Sequence, residues 1–231
     1  MQRAELIASL VEALSRRHGG GPTRVAITGI DTAGKTTLAD ELARALTAIG
    51  RPRVRASIDH FYRPGHIHRA AAGAYTPRSY YDEAFDFTVF LTDFLGPLGP
   101  GGDHRVRLAS WQMWPDLPAS DARVAVDAEA IALVDGVFLL RPELRPHWDL
   151  VVWLEVRVDL ALVRALERDI ALAGSAEAVC ARYEHRNFPA HDLYVHDTGG
   201  AAAADIVIDN SDPQRPILLR RSGRFGELIA S

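Results

Sequence analysis

The chain holds 25 arginines and a single lysine. That lysine, Lys35, stands inside Gly29-Ile30-Asp31-Thr32-Ala33-Gly34-Lys35-Thr36-Thr37, which fits the spacing G-x-x-x-x-G-K-[ST]. The chemistry served by this spacing is anion binding. Successive backbone N–H groups wrap a phosphate at a helix N-terminus, and a Cβ at the glycine positions would obstruct the wrap. With 18 Gly and one Lys, shuffles of this composition give the pattern roughly once in two thousand. Lys35 then reaches the β- and γ-phosphates as a slender point charge, where the planar fork of an arginine would force the loop to be rebuilt. Thr36 offers its hydroxyl to Mg²⁺. ATP or GTP is the expected nucleotide, ATP being the one adopted, with Mg²⁺ as its ion.

Two carboxylates stand where such a loop needs partners. Leu133-Val134-Asp135-Gly136 is an apolar run ending in a carboxylate, so Asp135 is a candidate Mg²⁺ ligand, direct or through a water. Asp59 closes the apolar run Val54–Ile58, which is expected to lie beside the first strand, and ligands of open α/β sheets sit outside the carboxyl ends of the strands. There it can take the proton of an acceptor hydroxyl attacking a γ-phosphate; its plainer role is to cap a turn before His60. Arg164 and Arg168, and again Arg182 and Arg186, are spaced i, i+4, which puts each pair on one helix face. Cations closing over a transferring phosphoryl group speed its transfer, and Arg168, followed by Asp169, is the candidate for that work. A solvated Arg-rich face is the competing role for the other three. His66 and His68, and the trio His185, His191 and His196, lack the Cys partners and spacing of a closed zinc site and read as solvated loop histidines.

The elements that must position these residues follow from periodicity. Residues 1–17 carry an amphipathic helical pattern that ends at the Gly-rich break His18–Pro22. Arg24–Thr28 reads as a strand, and about Lys35 to Ile49 as the helix after the glycine turn. Helices are also expected over about Glu83–Leu95, over Leu160–Ala173 with Asp159 as N-cap, and over Ala176–Arg186. Ile131–Val134 and Leu150–Val156 are continuous apolar runs, as in strands buried on both faces, and Asp205–Ile208 is the last core strand. Val106–Trp111 and Arg123–Val126 are expected to pair as one small antiparallel ribbon. Five core strands alternating with helices make a three-layer α/β sandwich, with residues 213–231 left as an unplaced tail.

Composition excludes several classes. At 231 residues, 48% hydrophobic and with a net charge of -4, the chain suits a single globular domain and not a broad basic surface for nucleic acid. One cysteine, Cys180, excludes an internal disulfide framework and suits a reducing compartment. No apolar run approaches the ~18–20 residues that span a bilayer, so a cytoplasmic location is expected.

Together these residues resemble the uridine kinase and phosphoribulokinase family of P-loop kinases. The landmarks run from Val25 to Asn210: ITGIDTAGKTTLADELA, SIDHFYRP, YYDEAFDF, LVDGVFLL, ALERDI and ADIVIDN. The resemblance implies a P-loop NTPase sandwich with a five-stranded parallel sheet, a small antiparallel ribbon over the acceptor site and an Arg-rich lid. The lid would span about 174–198 and the acceptor-side insertion about 59–127 of one domain, 1–231. It further implies Asp59 as general base, Arg168 as a lid arginine, and Tyr62, Arg63 and Tyr81 as substrate contacts. The acceptor would be the hydroxyl of a small molecule, first a nucleoside such as uridine or cytidine; a homo-oligomer is compatible with this.

Uridine kinases differ at Asp135, where they carry Glu, at Tyr80-Tyr81-Asp82-Glu83 and at Leu108-Ala109-Ser110-Trp111, positions that grip the nucleoside. GIDTAGKTT also resembles the thymidylate kinase loop, so a nucleoside monophosphate or another metabolite is the second acceptor. A non-catalytic nucleotide-binding regulator is the alternative of another class.

Overall fold

The computed structural model describes residues 1–16, 20–112 and 116–222. The chain opens with α1 (Arg3–Ser15), β1 (Thr23–Gly29), α2 (Lys35–Ala48) and β2 (Arg53–Ser57). Short elements follow: α3 (His66–Ala71), α4 (Pro77–Glu83), α5 (Phe87–Phe90), β3 (Arg105–Val106), β4 (Trp111–Gln112), β5 (Leu117–Pro118) and β6 (Val124–Ala125). The second half contains β7 (Ile131–Asp135), β8 (Leu150–Glu155), α6 (Val158–Ala173), α7 (Ala176–Arg182), α8 (Phe188–Thr198), β9 (Ile206–Asp209) and β10 (Ile217–Arg221). The Gly-rich break at 18–22 falls partly outside the described residues, as does the end of the tail, 223–231.

The main sheet has the order β10-β9-β8-β1-β7-β2. Its parallel part is the expected set of five strands, and β10 adds an antiparallel sixth at the edge. The tail thus supplies a strand that periodicity alone did not place. Its residues are exposed or half-buried, the character of an edge strand, whereas those of β7 are buried throughout. A second difference concerns β2, which is not beside β1. The crossover through α2 skips one position and β7 fills it, which sets Asp135 in register with both Ile27 of β1 and Ser57 of β2.

The two faces of the sheet bury different side chains. α1 and α2 present Leu6, Leu10 and Leu14 and Leu38, Leu42 and Leu46, each at i, i+4, to one aliphatic core with Val25 and Ile27. The opposite core is aromatic, with Phe61, Tyr62, Tyr75, Tyr80, Phe85, Phe90, Phe138 and Tyr194 among its members.

Local boundaries depart from periodicity where polar side chains intervene. The helix expected over Glu83–Leu95 is two elements, because Asp86 accepts a hydrogen bond from Val89 N (3.0 Å) and starts a new helix, which continues to Leu95 as a π turn. The N-cap of α6 is Arg157, and Asp159 is the second residue of its first turn. The ribbon is two separate two-residue ladders, β3 with β6 and β4 with β5. Arg107 holds the returning chain by donating to Ala119 O (2.9 Å) and Ser120 O (3.1 Å), which replaces the longer ladder. Beyond α7 the helix runs on through a π turn, Tyr183–Asn187, into α8. Among the described residues, no helix is long and apolar enough to cross a membrane.

Candidate active site

The glycine loop joins β1 to α2, as anion wrapping requires. Gly29 has φ 139°, and a Cβ there would meet Leu154 O at 2.3 Å on the neighbouring strand. Gly34 is left-handed at φ 90° and caps α2. The non-glycine Thr32 also has positive φ (60°), and its Oγ1 lies 2.7 Å from Ala161 O at the start of α6. From the sheet's far side Asn210 donates to Ala33 O (2.7 Å) while accepting from Arg3 (3.0 Å), a brace whose only sequence signal was the polar end of ADIVIDN. The loop is therefore held from three directions before any ligand arrives.

Lys35 is buried, and Nζ donates to Ile30 O (2.7 Å) across its own loop. Burial draws the ammonium below its ordinary pKa, opposed by the carboxylates of Asp31, Asp135 and Asp59. Thr36 donates its hydroxyl to Asp135 Oδ2. Arg55 Nη1 stands 2.7 Å from Asp135 Oδ1, near enough for an ion pair but outside hydrogen-bond geometry, so that buried oxygen has no donor. An undonated carboxylate oxygen next to a threonine hydroxyl, with two further carboxylates close by, is an oxygen donor set that fits Mg²⁺.

Asp59 sits in the 3-10 turn Ile58–Phe61, which Ser57 caps by accepting from Asp59 N (3.3 Å). Its carboxylate keeps solvent access on one side while protein crowds the others. That desolvation, with the nearby charges of Asp135 and Asp31, pushes the carboxyl up to about 6. Tyr62 donates to Asp59 Oδ1 (3.3 Å) and is clamped between His66 (rings 3.8 Å apart) and Phe85 (4.5 Å). The β4 side of the insertion reaches the same turn through Ser110 N and His60 O (2.9 Å).

The remaining candidates are distributed unevenly. Arg63 is exposed beside this turn, its Nε donating to Phe85 O (3.3 Å). Tyr81 is buried in the aromatic core against Phe138, with Arg141 over its ring at 4.5 Å, and the charges that act on it are Arg141, Asp197, Glu143 and Asp82, not Asp31 or Asp59. Its neighbour Tyr80 is the one that feels Asp31 and Asp59, and the repeated Tyr-Tyr left no sequence signal to choose between them. Arg168 is folded onto Asp169 (2.6 Å), which also takes Arg182 (2.5 Å) and the Tyr183 hydroxyl (2.9 Å). Arg164 binds the Asn210 and Ser211 carbonyls (2.9 Å each), a structural contact. The π turn breaks the expected face-sharing of Arg182 and Arg186: Arg182 goes to Asp169, and Arg186 lies over the Tyr80 ring at 4.5 Å.

Two of the histidines are not solvated. His66 is buried, bonded to the Tyr75 hydroxyl (3.1 Å), and burial with the charge of Arg186 lowers it to about 4. His191 is half-buried against Trp153, and burial brings it to about 4 as well. Hydropathy periodicity could not see either, because the burying partners come from distant segments.

A P-loop with a strand-end carboxylate beside it, on a mostly parallel sheet with flanking helices, defines the P-loop nucleotide-binding class of fold. The model of the phosphoribulokinase / uridine kinase family matches residues 25–214, and the chain belongs to that family. Uridine-cytidine kinase B of Dictyostelium discoideum is 28% identical over 196 residues, covering 83% of this chain and 76% of that protein. A uridine kinase of Brevibacillus brevis is 24% identical, covering 91% of this chain and 95% of its own length. The solved structure of a possible uridine kinase from Bacillus stearothermophilus shares the fold, with a TM-score of 0.66 at 22% identity, covering 87% of this chain and 96% of that one. The chain is thus a kinase-family phosphotransferase that takes a hydroxyl acceptor.

Proposed function

We propose that this chain transfers the γ-phosphoryl group of ATP to the hydroxyl of a small molecule bound beside Asp59. The observation that carries the reading is the carboxylate of Asp59, raised to about 6, hydrogen-bonded to Tyr62 and within the field of Asp135 and Lys35. Asp59 accepts the hydroxyl proton as the acceptor oxygen bonds to the γ-phosphorus. The bond from that phosphorus to the β,γ-bridging oxygen breaks, and ADP leaves. The amides of Gly29–Thr37 (Gly29, Ile30, Asp31, Thr32, Ala33, Gly34, Lys35, Thr36, Thr37) cradle the phosphates, and Lys35 exchanges its bond to Ile30 O for phosphate oxygens. Thr36 and Asp135 would hold Mg²⁺, which when bound neutralises charge on the β- and γ-phosphates. Arg168 leaves Asp169 to join the transferring group, and the segment 174–198 moves with it as a lid.

The matched relatives named above are nucleoside kinases, so uridine and cytidine head the list of acceptors. The test is ADP release from ATP·Mg²⁺ with a panel of nucleosides, nucleoside monophosphates, pantothenate and sugar phosphates. ADP release is expected to depend on acceptor and to fall about 10²- to 10⁴-fold in Asp59→Asn. Hydrolysis that ignores both acceptor and Asp59→Asn would overturn the kinase reading and leave a nucleotide-binding regulator.

A further inference from the structure

The arginines around the acceptor side differ in one respect. Arg69 pairs with Glu83 (2.8 Å), Arg78 with Asp82 (2.6 Å), Arg141 with Glu143 (2.5 Å), and Arg168 and Arg182 with Asp169. Arg186 and Arg63 have no carboxylate partner among the described residues. Arg186 is half-buried, and of its five N–H groups only Nε has a hydrogen-bond partner there, Asn187 Oδ1 at 2.8 Å. Asn187 is itself tied to Asp31 of the phosphate loop (3.2 Å), so the π turn fixes where Arg186 sits. Its guanidinium covers the Tyr80 ring, and its charge is felt at Tyr62, His66 and Tyr75. Arg63 stands exposed on the turn after Asp59, donates to Phe85 O (3.3 Å), and its charge also reaches Tyr75.

A half-buried guanidinium without a counter-ion is costly, and stacking on one ring offsets only part of that cost. The neighbouring tyrosines and His66 bring no negative charge to balance it, and Asp31 and Asp59, whose charges reach the same Tyr62 and Tyr80, form no ion pair with it among the described residues. The free N–H groups form a fork suited to two oxygens of one anion. Tyr62 connects this cationic wall to Asp59, since the ring that feels Arg186 also donates to the Asp59 carboxylate. Resting on the kinase reading of this site, we infer that the acceptor is an anionic hydroxyl compound, bearing a phosphate or carboxylate that Arg186 binds with support from Arg63 while its hydroxyl faces Asp59, which places neutral uridine and cytidine behind anionic acceptors of the same panel. Arg186 is then a specificity-determining residue of the acceptor site.

The test reads binding, with the phosphate loop filled by a non-hydrolysable ATP analogue and Mg²⁺ so that anions cannot report on the loop. Calorimetry compares matched pairs: ribose with ribose 5-phosphate, fructose with fructose 6-phosphate, uridine with uridine 5′-monophosphate, pantothenol with pantothenate. In pairs that bind, the anionic member should bind about 10- to 100-fold more tightly, the range of charge-assisted hydrogen bonds. Arg186→Gln should erase that preference, and Arg186→Lys should retain part of it. Should Arg186→Gln fail to fold on thermal melting, Arg63→Gln reads the same site from the other element and should weaken the preference. A neutral member binding as well as its anionic partner, no anionic member binding, a preference that survives Arg186→Gln, or a loss of analogue affinity in its place would each overturn the inference. Anion binding without ADP release from ATP would instead overturn the kinase reading alone.

Discussion

The nucleotide end and the acceptor end of this site rest on opposite faces of one sheet and are built differently. The phosphate loop leans on the aliphatic core through Ile30 and Ala33, and its working groups are backbone amides fixed by φ angles and by a contact too close for any Cβ. The acceptor end leans on the aromatic core, and its working groups are side chains on short helices and turns, stacked ring on ring. Backbone recognition demands particular glycines and one lysine, and it binds the phosphates shared by all nucleoside triphosphates. Side-chain recognition permits drift in identity while the packing survives. That is why one end follows a strict motif and the other departs from the family it resembles.

The sharpest way to break this comparison is to add the same methyl group to each end. Gly29→Ala meets Leu154 O at an unfavourable φ and should cost about 3–5 kcal/mol in urea unfolding, with ATP binding lost. Gly65→Ala, on the acceptor side at φ 74° with open space around it, should cost about 1–2 kcal/mol and leave ATP affinity intact. Equal costs would mean the two ends are equally tolerant. Next in size, Lys35→Arg keeps the charge but should lower kcat about 10²- to 10³-fold without altering acceptor affinity. Turnover near that of the parent protein would show that charge, not shape, is what the loop needs.

Titration sharpens the contrast further. Asp59 has its folded pKa raised to about 6 from an unfolded value of 3.8. The folded state therefore holds the proton more tightly, and the stability this provides is complete below 3.8 and lost as pH rises through about 6. Asp59→Asn should accordingly raise the melting temperature more at pH 8 than at pH 4, by a small amount because one side of the carboxylate is hydrated. The acid limb of kcat/KM should lie near 6 and move to lower pH in Asp31→Asn, which removes a neighbouring negative charge; an unmoved limb would detach Asp31 from Asp59. The smallest effect belongs to His66. Its pKa falls from 6.5 to about 4 on folding, so the stability it contributes is present above 6.5 and is lost as pH drops towards 4. His66→Phe keeps a ring for the Tyr62 stack and should flatten the melting profile between those values, at about 1 kcal/mol for the lost Tyr75 bond.

How far each part could be read in advance follows the same division. The glycine loop, the strand-end Asp135 and the continuous apolar strands are local patterns, in which neighbours in sequence do the work. Tyr80 against Tyr81, the burial of His66 and the separation of Arg182 from Arg186 were not readable, because each depends on packing between segments far apart in the chain. The edge strand Ile217–Arg221 escaped for a related reason: its apolar run, Ile217-Leu218-Leu219, is only three residues long before two arginines and does not alternate, so its pairing with β9 is what makes it a strand.

By itself the sequence set out a phosphate-binding pattern, its place at Gly29–Thr37, and a reason for the one lysine among 25 arginines to stand at position 35. Those are requirements of backbone geometry, and a contiguous motif states them completely. Only the tertiary structure decided that β7 lies between β1 and β2 and so brings Asp135 between the loop and Asp59. It also decided which arginines found carboxylates and that Arg186 lies over Tyr80 with no carboxylate partner among the described residues. Charge compensation is a property of distance in space, and no spacing along the chain encodes it.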